Sequence, residues 1–266
     1  MAETAESIQV SDDNNVRTIT LNRPDVLNSF NTDMLRALGK TLRSTQKDKS
    51  VRCLVITGAG RAFCAGQDLA EVEDAYKGNG KLELENQLRT LYNPIISGLR
   101  TMEIPILASV NGVAAGAGAG LALACDFRLA SVKASFIQAF IKVGLVPDSG
   151  CTFMLPRLVG LARAMEIAST GRKVGAEEAL QIGMITRVVE ADQLDEETSK
   201  FAQELADLPT RAIGLTKRAL NASWSADLDT QLDYEAMLQG TASLTQDHRE
   251  GILAFLEKRP PKFQGK

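Results

Sequence analysis

Carboxylates are the side chains best placed for acid–base chemistry in this sequence, because it contains a single histidine, His248. That residue lies in TQDHREG, a pattern that predicts a solvated position in the first turn of a helix. Any histidine-based triad within the chain would have to use it. Asp148 lies in Pro-Asp-Ser-Gly, which is also a good turn sequence. Asp68 is a candidate helix cap beside a loop, and Asp126 precedes a predicted strand.

The stretch Asn111–Asp126, NGVAAGAGAGLALACD, is built almost wholly from glycine and alanine. It follows IPILASV, which is typical of a short buried strand, and contains GLALAC, which is typical of a small-residue helix. A strand, a glycine-rich turn and a helix start form an anion-binding corner, because the first N–H groups of a helix lack partners. Taken alone, the stretch favours tight packing of a helix on a sheet.

Three other interpretations of this stretch fit less well. The uncharged segment 104–125 is long enough to span a bilayer, but Pro105 and two polar residues interrupt it and no basic cluster flanks it. The dinucleotide-binding fingerprint fails because Leu121 stands where its third glycine belongs and no acidic residue follows at the required distance. A P-loop would need Gly-Lys-Ser/Thr, which the stretch 111–126 lacks.

Composition indicates an ordinary soluble protein with one large domain and room for a small second one. The chain has 266 residues, 44% of them hydrophobic and 24% charged, with a net charge of −3 at pH 7. This acidic balance argues against a nucleic-acid partner. The N-terminal sequence lacks the apolar segment of a secretory signal, so we expect a cytoplasmic protein. The cysteines lack paired metal-site spacing and are expected to be reduced core thiols: Cys53, Cys64, Cys125 and Cys151.

The first part of the chain alternates strands and helices. SIQV and NVRTITL predict two strands around the turn DDNN, and VRCLVITG and FRLAS predict further strands. Asn31 is the predicted cap of a helix that buries Met34, Leu35, Leu38 and Leu42 on one face.

Helices dominate the later part. A long amphipathic helix is predicted from Leu82 to Leu99, and shorter ones over about 151–158 and 161–170. Between FRLAS and these helices the pattern is ambiguous, with Phe136, Phe140 and Val143 expected to be buried. From Ala191 to about Lys258 the pattern is helical throughout. An α/β body over residues 1–198 with a helical C-terminal domain over 199–266 is therefore predicted.

Three loops together carry a specific resemblance. AFCAGQDL follows the strand VRCLVITG, NGVAAGAG follows IPILASV, and KVGLVPDSG comes third. With these segments, nearly the whole chain resembles the crotonase superfamily, which has the enoyl-CoA hydratase/isomerase fold. The resemblance implies a ββα spiral core, an acyl-CoA thioester as substrate and no resident metal or redox cofactor, since coenzyme A is part of the substrate. It also implies trimers, often paired into hexamers, assembled through the helical C-terminal part.

The resemblance implies an oxyanion hole made by two backbone N–H groups, those of Gln67, after Gly66, and Ala117, after Gly116. Such donors are aimed at the enolate oxygen, and each contributes on the order of 3 kcal/mol to catalysis. The backbone of 65–69, which includes Ala65, Asp68 and Leu69, is expected to line the channel for coenzyme A.

Other matched positions decide the reaction and the subunit contacts. The two glutamates of the hydratases are matched by Gly120 and Phe140, neither of which can move a proton. The acid of the isomerase branch is matched by Asp148, whose pKa would be raised by apolar neighbours, Phe140, Leu145 and Val146. Phe255 and Lys258 match positions that reach the coenzyme A of a neighbouring subunit, although an ordinary amphipathic last helix explains them equally well.

Within the family, these segments look most like the ring-1,2-epoxyphenylacetyl-CoA isomerases. The implied reaction converts a ring epoxide to an oxepin, or shifts a 3-enoyl-CoA double bond to the 2-position. Alternatives are an enoyl-CoA hydratase that uses Asp148 alone, a protein that binds RNA through the basic helix over 34–49, and a catalytically idle assembly subunit.

Overall fold

A repeated strand–strand–helix unit organises the chain in a computed structural model that describes residues 6–77 and 83–266. A strand of a first sheet leads through a short turn into a strand of a second sheet, and a helix follows. Because each unit repeats this path, the chain winds as a spiral, and the ends of equivalent strands meet along one edge of the second sheet.

In the described residues, the first sheet has six strands and the second has four. The first sheet, in spatial order, contains β1 (Ile8–Asp13), β2 (Val16–Leu21), β3 (Cys53–Gly58), β5 (Ile106–Val110), β7 (Phe127–Ser131) and β10 (Arg187–Val189). The second contains β4 (Ala62–Cys64), β6 (Val113–Ala115), β8 (Ser135–Ile137) and β9 (Lys173–Gly175). Neighbouring strands are parallel except for the pairs β1–β2 and β8–β9.

Helices cover the two sheets and make up the C-terminal part. They are α1 (Thr32–Lys47), α2 (Leu69–Lys77), α3 (Leu84–Gln87), α4 (Asn93–Thr101), α5 (Ala117–Ala124), α6 (Cys151–Val159), α7 (Leu161–Thr170), α8 (Ala176–Gln181), α9 (Leu194–Asp207), α10 (Thr210–Ala222), α11 (Leu228–Ser243) and α12 (Gln246–Leu256). None of the helices in the described ranges is long and apolar enough to cross a membrane.

Local sequence signals place several elements as predicted. The Asn31 side chain accepts a hydrogen bond of 2.9 Å from the Met34 N–H and so caps α1, as the residue type at a helix start predicts. The helix buries its predicted apolar stripe. Asn14 and Asn15 form the turn between β1 and β2 with positive φ angles, which asparagine tolerates better than most residues. The prediction for His248 is also confirmed, since it is exposed in the first turn of α12.

Two predictions need correction. The helix expected over 82–99 is α3 and α4 joined by a π-helical turn, Leu88–Tyr92, and it runs on to Thr101; its predicted start, Leu82, lies outside the described residues. Pro94, which has no backbone N–H, interrupts the regular bonding there. Val143 was expected to be buried but is 63% exposed, because it ends a short 3-10 helix on the surface.

The main core lies between the first sheet and the helices α1, α4 and α5. Its largest fully buried side chains include Phe30, Phe63, Met34 and Leu99. A second cluster forms where α9 packs on the other face of the first sheet. The predicted boundary between residues 198 and 199 falls inside α9, and the division into two domains stays a prediction. All four cysteines are buried and free.

Candidate active site

Two parallel strands of the second sheet bring two of the predicted loops together. β4 and β6 pair with Cys64 opposite Ala114, so the segments that follow them, 65–68 and 116–117, leave the same edge of the sheet. Parallel strands end side by side at one edge, which is where ligands bind in open α/β sheets. The sequence therefore places the two predicted oxyanion donors next to each other.

The N–H group of Gln67 points away from Phe30, whose backbone pairs with the residues on either side of Gln67. The Phe30 N–H donates to the Gly66 carbonyl oxygen at 2.7 Å, and the Asp68 N–H donates to the Phe30 carbonyl oxygen at 2.9 Å. Because C=O and N–H point in opposite directions across a trans peptide, the Gln67 N–H faces the other side. It has no protein acceptor among the described residues.

The N–H group of Ala117 is one of the first in α5. The preceding carbonyl, that of Gly116, accepts a bond of 3.1 Å from Gly120 N–H within the helix, so the Ala117 N–H projects from the helix start. Orphan N–H groups at this end carry the positive part of the helix dipole. This N–H also has no acceptor in the described parts of the chain.

Glycine at position 66 allows the two loops to touch. Gly66 has a φ of +98°, and a Cβ there would lie 2.9 Å from the Ala115 carbonyl oxygen and 3.6 Å from the Ala117 nitrogen. Gly116 has a φ of +51°, which is again unfavourable for larger residues. Backbone geometry thus requires both glycines. They bring the N–H groups of Gln67 and Ala117, which have no acceptor among the described residues, into one place, the predicted oxyanion corner.

Asp148 lies in the third loop, between the 3-10 helix over 139–143 and α6. Burial raises the pKa of the Asp148 carboxyl group above its usual range, and a 2.8 Å hydrogen bond from Ser149 Oγ opposes that shift. No lysine or arginine of the described residues forms an ion pair with it. The predicted direction of the pKa shift is therefore confirmed, although two of the neighbours expected to bury the carboxyl group, Leu145 and Val146, are exposed at 42% and 80%.

The rival carboxylates are occupied by structural partners. Asp68 accepts a bond from the Ala70 N–H at 3.1 Å and pairs with Arg23 at 2.7 Å, so it is the predicted cap of α2. Asp126 pairs with Lys217 at 2.7 Å and with Arg100 at 3.3 Å. Asp148 is therefore the one carboxyl group of the three without an ion pair among the described residues.

Neither position that matches a hydratase glutamate carries an acidic side chain here, and one of them has no room for a side chain. A Cβ on Gly120 would lie 2.7 Å from both the Cβ and the carbonyl oxygen of Ser149, so the Asp148 loop fills the space that a glutamate would need. Phe140 is 7% exposed, and its ring lies 3.9 Å from where a Cβ of Gly116 would be.

The predicted contacts for coenzyme A are distributed over two regions. Ala65 is half-buried and Leu69 is 67% exposed, both beside the oxyanion corner. Phe255 is 82% exposed at the end of α12, and Lys258 follows with a φ of +55°. Because α12 packs on α11 and the C-terminal tail within its own chain, a role for Phe255 and Lys258 in a neighbouring subunit stays a prediction.

Tyr92 is a site residue that the sequence pattern did not indicate. Its hydroxyl donates to the side-chain oxygen of Gln67, although the two residues are separated by 24 others. With Ala117 and Ser149 it lines a small cavity of about 10 Å³ among apolar side chains. Pro94 was the one sequence feature nearby that indicated an irregular helix, but it does not predict the direction of the Tyr92 side chain.

Among the described residues, no group of three or more histidine, cysteine, aspartate or glutamate side chains could hold a metal ion. The site consists of backbone N–H donors, one carboxyl group and apolar walls. This arrangement can stabilise an oxyanion and move a proton.

Comparison with known proteins identifies the family of the chain. Residues 11–266 match the family model described as enoyl-CoA hydratase/isomerase. The chain is 46% identical to the 1,2-epoxyphenylacetyl-CoA isomerase of Escherichia coli K12 over 94% of this chain and 95% of that protein. It is 45% identical to a Rhodobacter capsulatus protein named "Probable enoyl-CoA hydratase", over 93% and 94%. A crystal structure from Streptomyces coelicolor A3(2) matches with a TM-score of 0.92 at 37% identity, over 100% of this chain and 98% of that one. The chain belongs to the enoyl-CoA hydratase/isomerase family and has its crotonase fold.

Proposed function

We propose that the protein is an acyl-CoA isomerase in which Asp148 transfers a proton and the N–H groups of Gln67 and Ala117 bind the thioester oxygen. The environment of the Asp148 carboxyl group is the observation that supports this proposal most. It is the one carboxyl group of the three candidates that is free of an ion pair among the described residues, and burial raises its pKa. A raised pKa makes the carboxylate a stronger base near neutral pH.

The proposed chemistry conserves all atoms of the substrate. Asp148 removes a proton from the α-carbon, and the electron pair of the broken C–H bond moves onto the thioester oxygen to give an enolate. The two N–H donors stabilise that negative charge in a site with little water. The enolate then collapses, the double bond shifts, and Asp148 returns the same proton at the γ-carbon. No resident cofactor is required, because coenzyme A belongs to the substrate.

The proposed substrate is a ring-1,2-epoxyphenylacetyl-CoA, which would be converted to an oxepin thioester, or a 3-enoyl-CoA. Support for the first comes from the Escherichia coli relative named for that substrate. For the epoxide, the carbon–carbon bond shared by the epoxide and the six-membered ring breaks as its electrons rearrange into the seven-membered oxepin ring. Removal of a proton from the α-carbon and its return at the γ-carbon then bring a double bond into conjugation with the thioester, so one base and one oxyanion hole serve both substrates.

An enoyl-CoA hydratase is the second candidate, favoured by the Rhodobacter capsulatus relative with that name. Hydration by the family route needs glutamates to position and deprotonate water. Gly120 and Phe140 stand at those positions here, and Ser149 occupies the adjoining space. A decrease in the absorbance of the conjugated thioester of crotonyl-CoA would reveal that the protein adds water to it.

We further propose that the protein works as a trimer or hexamer without nucleic-acid or membrane partners, with Phe255 and Lys258 contacting the coenzyme A of an adjacent subunit. The large exposed apolar side chains at the end of α12 support an interface there.

The function is tested by liquid chromatography and mass spectrometry of products from 1,2-epoxyphenylacetyl-CoA, with wild type and Asp148→Asn compared. We expect an oxepin thioester from wild type and a loss of roughly 10²- to 10⁴-fold in the variant, the range for removal of a general base. If wild type converts only a 3-enoyl-CoA, the epoxide substrate is wrong and the isomerase assignment stands. If Asp148→Asn is folded and fully active, the assignment of the base is wrong.

A further inference from the structure

Tyr92 lies between the predicted oxyanion corner and the loop that carries Asp148 and Ser149. It ends the π-helical turn Leu88–Tyr92 and is 6% exposed. Its ring packs edge-on against Phe30, with ring centroids 6.0 Å apart and an interplanar angle of 80°. Its hydroxyl donates to the side-chain oxygen of Gln67, the residue whose backbone N–H is the first oxyanion donor. Short π-helical turns inside helices often occur at functional sites.

Tyr92, Ala117 and Ser149 line one cavity, and this cavity is too small for an acyl group. Its volume is about 10 Å³, whereas a buried aromatic ring needs a cavity on the order of 150 Å³. Side chains in its wall must therefore move when an acyl group enters. Tyr92 forms part of this wall and its hydroxyl is bonded to Gln67, so movement of the Tyr92 side chain away from Gln67 is one way to enlarge the cavity.

Two side-chain hydroxyl groups line the cavity, and they differ in what they can offer a substrate. Ser149 Oγ donates its proton to the Asp148 carboxyl group. Tyr92 donates to the side-chain amide oxygen of Gln67, a half-buried residue that can bond to water once it is released. Moving the Tyr92 hydroxyl to a substrate oxygen therefore adds one hydrogen bond overall. The remaining lining is apolar apart from the backbone. An acyl group that carries an oxygen would thus find a donor in Tyr92.

The charge environment keeps that donor protonated. Burial raises the pKa of the Tyr92 hydroxyl, and the Asp148 carboxylate raises it further. The phenol therefore retains its proton at neutral pH and stays available as a hydrogen-bond donor.

We infer that Tyr92 is a specificity-determining residue, whose hydroxyl leaves Gln67 and donates a hydrogen bond to an oxygen atom on the ring of the acyl group. This inference rests on the proposed function, because it concerns the same site. It predicts a preference for ring acyl groups that bear an oxygen over purely hydrocarbon acyl groups.

The test compares Tyr92→Phe with wild type on two substrates, 1,2-epoxyphenylacetyl-CoA and 3-hexenoyl-CoA. We expect kcat/KM for the epoxide to fall about tenfold, the effect of one lost hydrogen bond, while kcat/KM for 3-hexenoyl-CoA stays within about twofold of wild type. Tyr234→Phe is the matched control, since its hydroxyl contacts Arg218 between α10 and α11, and we expect it to change neither value. An equal loss on both substrates, or no loss on either, would overturn the inference.

A binding measurement keeps the inference separate from the proposed reaction. Isothermal titration calorimetry with 2-hydroxyphenylacetyl-CoA and phenylacetyl-CoA compares ligands that differ in one ring oxygen. We expect wild type to bind the hydroxylated thioester more tightly and Tyr92→Phe to lose that preference. If wild type fails to convert the epoxide but shows this preference, the reaction is wrong and the role of Tyr92 stands. If wild type converts the epoxide and Tyr92→Phe keeps the preference for the hydroxylated thioester, the proposed reaction stands and the role of Tyr92 is wrong.

Discussion

At the level of single residues, burial and one hydrogen bond act in opposite directions on the Asp148 carboxyl group. Burial favours the neutral acid and raises its pKa, whereas the hydroxyl of Ser149 favours the carboxylate and lowers it. The net pKa lies above the usual value for aspartate. Because a base works only when ionised, activity should decline as the pH falls through this raised pKa.

Replacing Ser149 by alanine should shift that pH dependence in a known direction. Ser149→Ala keeps the Cβ that packs on Gly120 but removes the hydrogen bond that stabilises the carboxylate. The pKa of Asp148 should rise further, so the acidic limb of a plot of kcat/KM against pH should move to higher pH. Steady-state rates measured over the acidic range check this. A limb that stays in place, or moves to lower pH, would contradict the assignment of Asp148 as the base.

Gly120 is the residue at which the site differs sterically from a hydratase. Gly120→Ala should destabilise the fold by about 2 kcal/mol, because its Cβ would overlap with Ser149, and should lower activity by displacing the Asp148 loop. Gly240→Ala is the matched control: a Cβ there meets nothing within 4 Å. Gly240 lies in the last turn of α11, where alanine should stabilise the protein by about 0.5 kcal/mol. Urea unfolding of both variants gives the comparison, and equal effects would be inconsistent with this packing.

The residues at the site differ in how far the sequence reveals them. Gln67 and Ala117 follow glycine-rich loops after buried strands, and Asp148 follows a proline in a turn, so local pattern and family resemblance identify all three. Tyr92 was missed because its hydroxyl acts across a long sequence separation, and helix periodicity does not distinguish a buried aromatic core residue from a site residue.

At the level of secondary-structure elements, Asn28 fixes the loop that positions Gln67. It is fully buried, and its side-chain amide donates to the carbonyl oxygens of Ala59 at 2.9 Å and Ala62 at 2.8 Å. Its Oδ1 accepts a bond from the Arg23 N–H. These bonds join the loop before α1 to the turn between β3 and β4. Phe30, two residues on, then holds Gly66 and Asp68 on either side of Gln67.

Asn28→Ala should therefore destabilise the protein by about 3 kcal/mol, because buried carbonyl groups lose their donors. Asn15→Ala is the control, since Asn15 also has a positive φ but makes an exposed bond to Ser50; we expect a cost of about 1 kcal/mol there. Chemical unfolding followed by circular dichroism measures both. Similar losses in the two variants would show that the buried bonds of Asn28 contribute little.

Elements with strong local signals were predictable, and those shaped by tertiary contacts were not. The start of α1 follows from Asn31 and the apolar stripe of the helix, and β5 follows from the largely apolar run IPILASV. Val143, Leu145 and Val146 look like core residues by composition, yet they lie exposed on the loop before Asp148. Hydrophobicity alone cannot place such a loop, because its position depends on contacts made by α5 and α6.

At the level of the whole molecule, the C-terminal helices carry large apolar side chains that are exposed to solvent in the single chain. Leu244, Phe255 and Leu256 are 88%, 82% and 70% exposed. Exposed apolar side chains that form a contiguous surface commonly mark an interface between proteins, and the proposed oligomer would cover these three.

The mass in solution checks that proposal. Light scattering after size-exclusion chromatography should give three or six times the 28.7 kDa of one chain. Phe255→Glu should shift the mass toward the single chain, because a charge at an apolar interface is costly. Val10→Glu, at an exposed position on β1, is the control and should keep the wild-type mass. A wild-type monomer would contradict the proposal.

The proton transfer by Asp148 next to an oxyanion hole is tested most directly by hydrogen exchange at the α-carbon of phenylacetyl-CoA in D₂O, followed by mass spectrometry. This thioester has an acidic α-proton but no double bond to shift, so exchange reports enolate formation alone. We expect wild type to incorporate deuterium and Asp148→Asn to do so roughly 10²- to 10⁴-fold more slowly. Equal exchange rates in the two folded proteins would show that Asp148 is not the base.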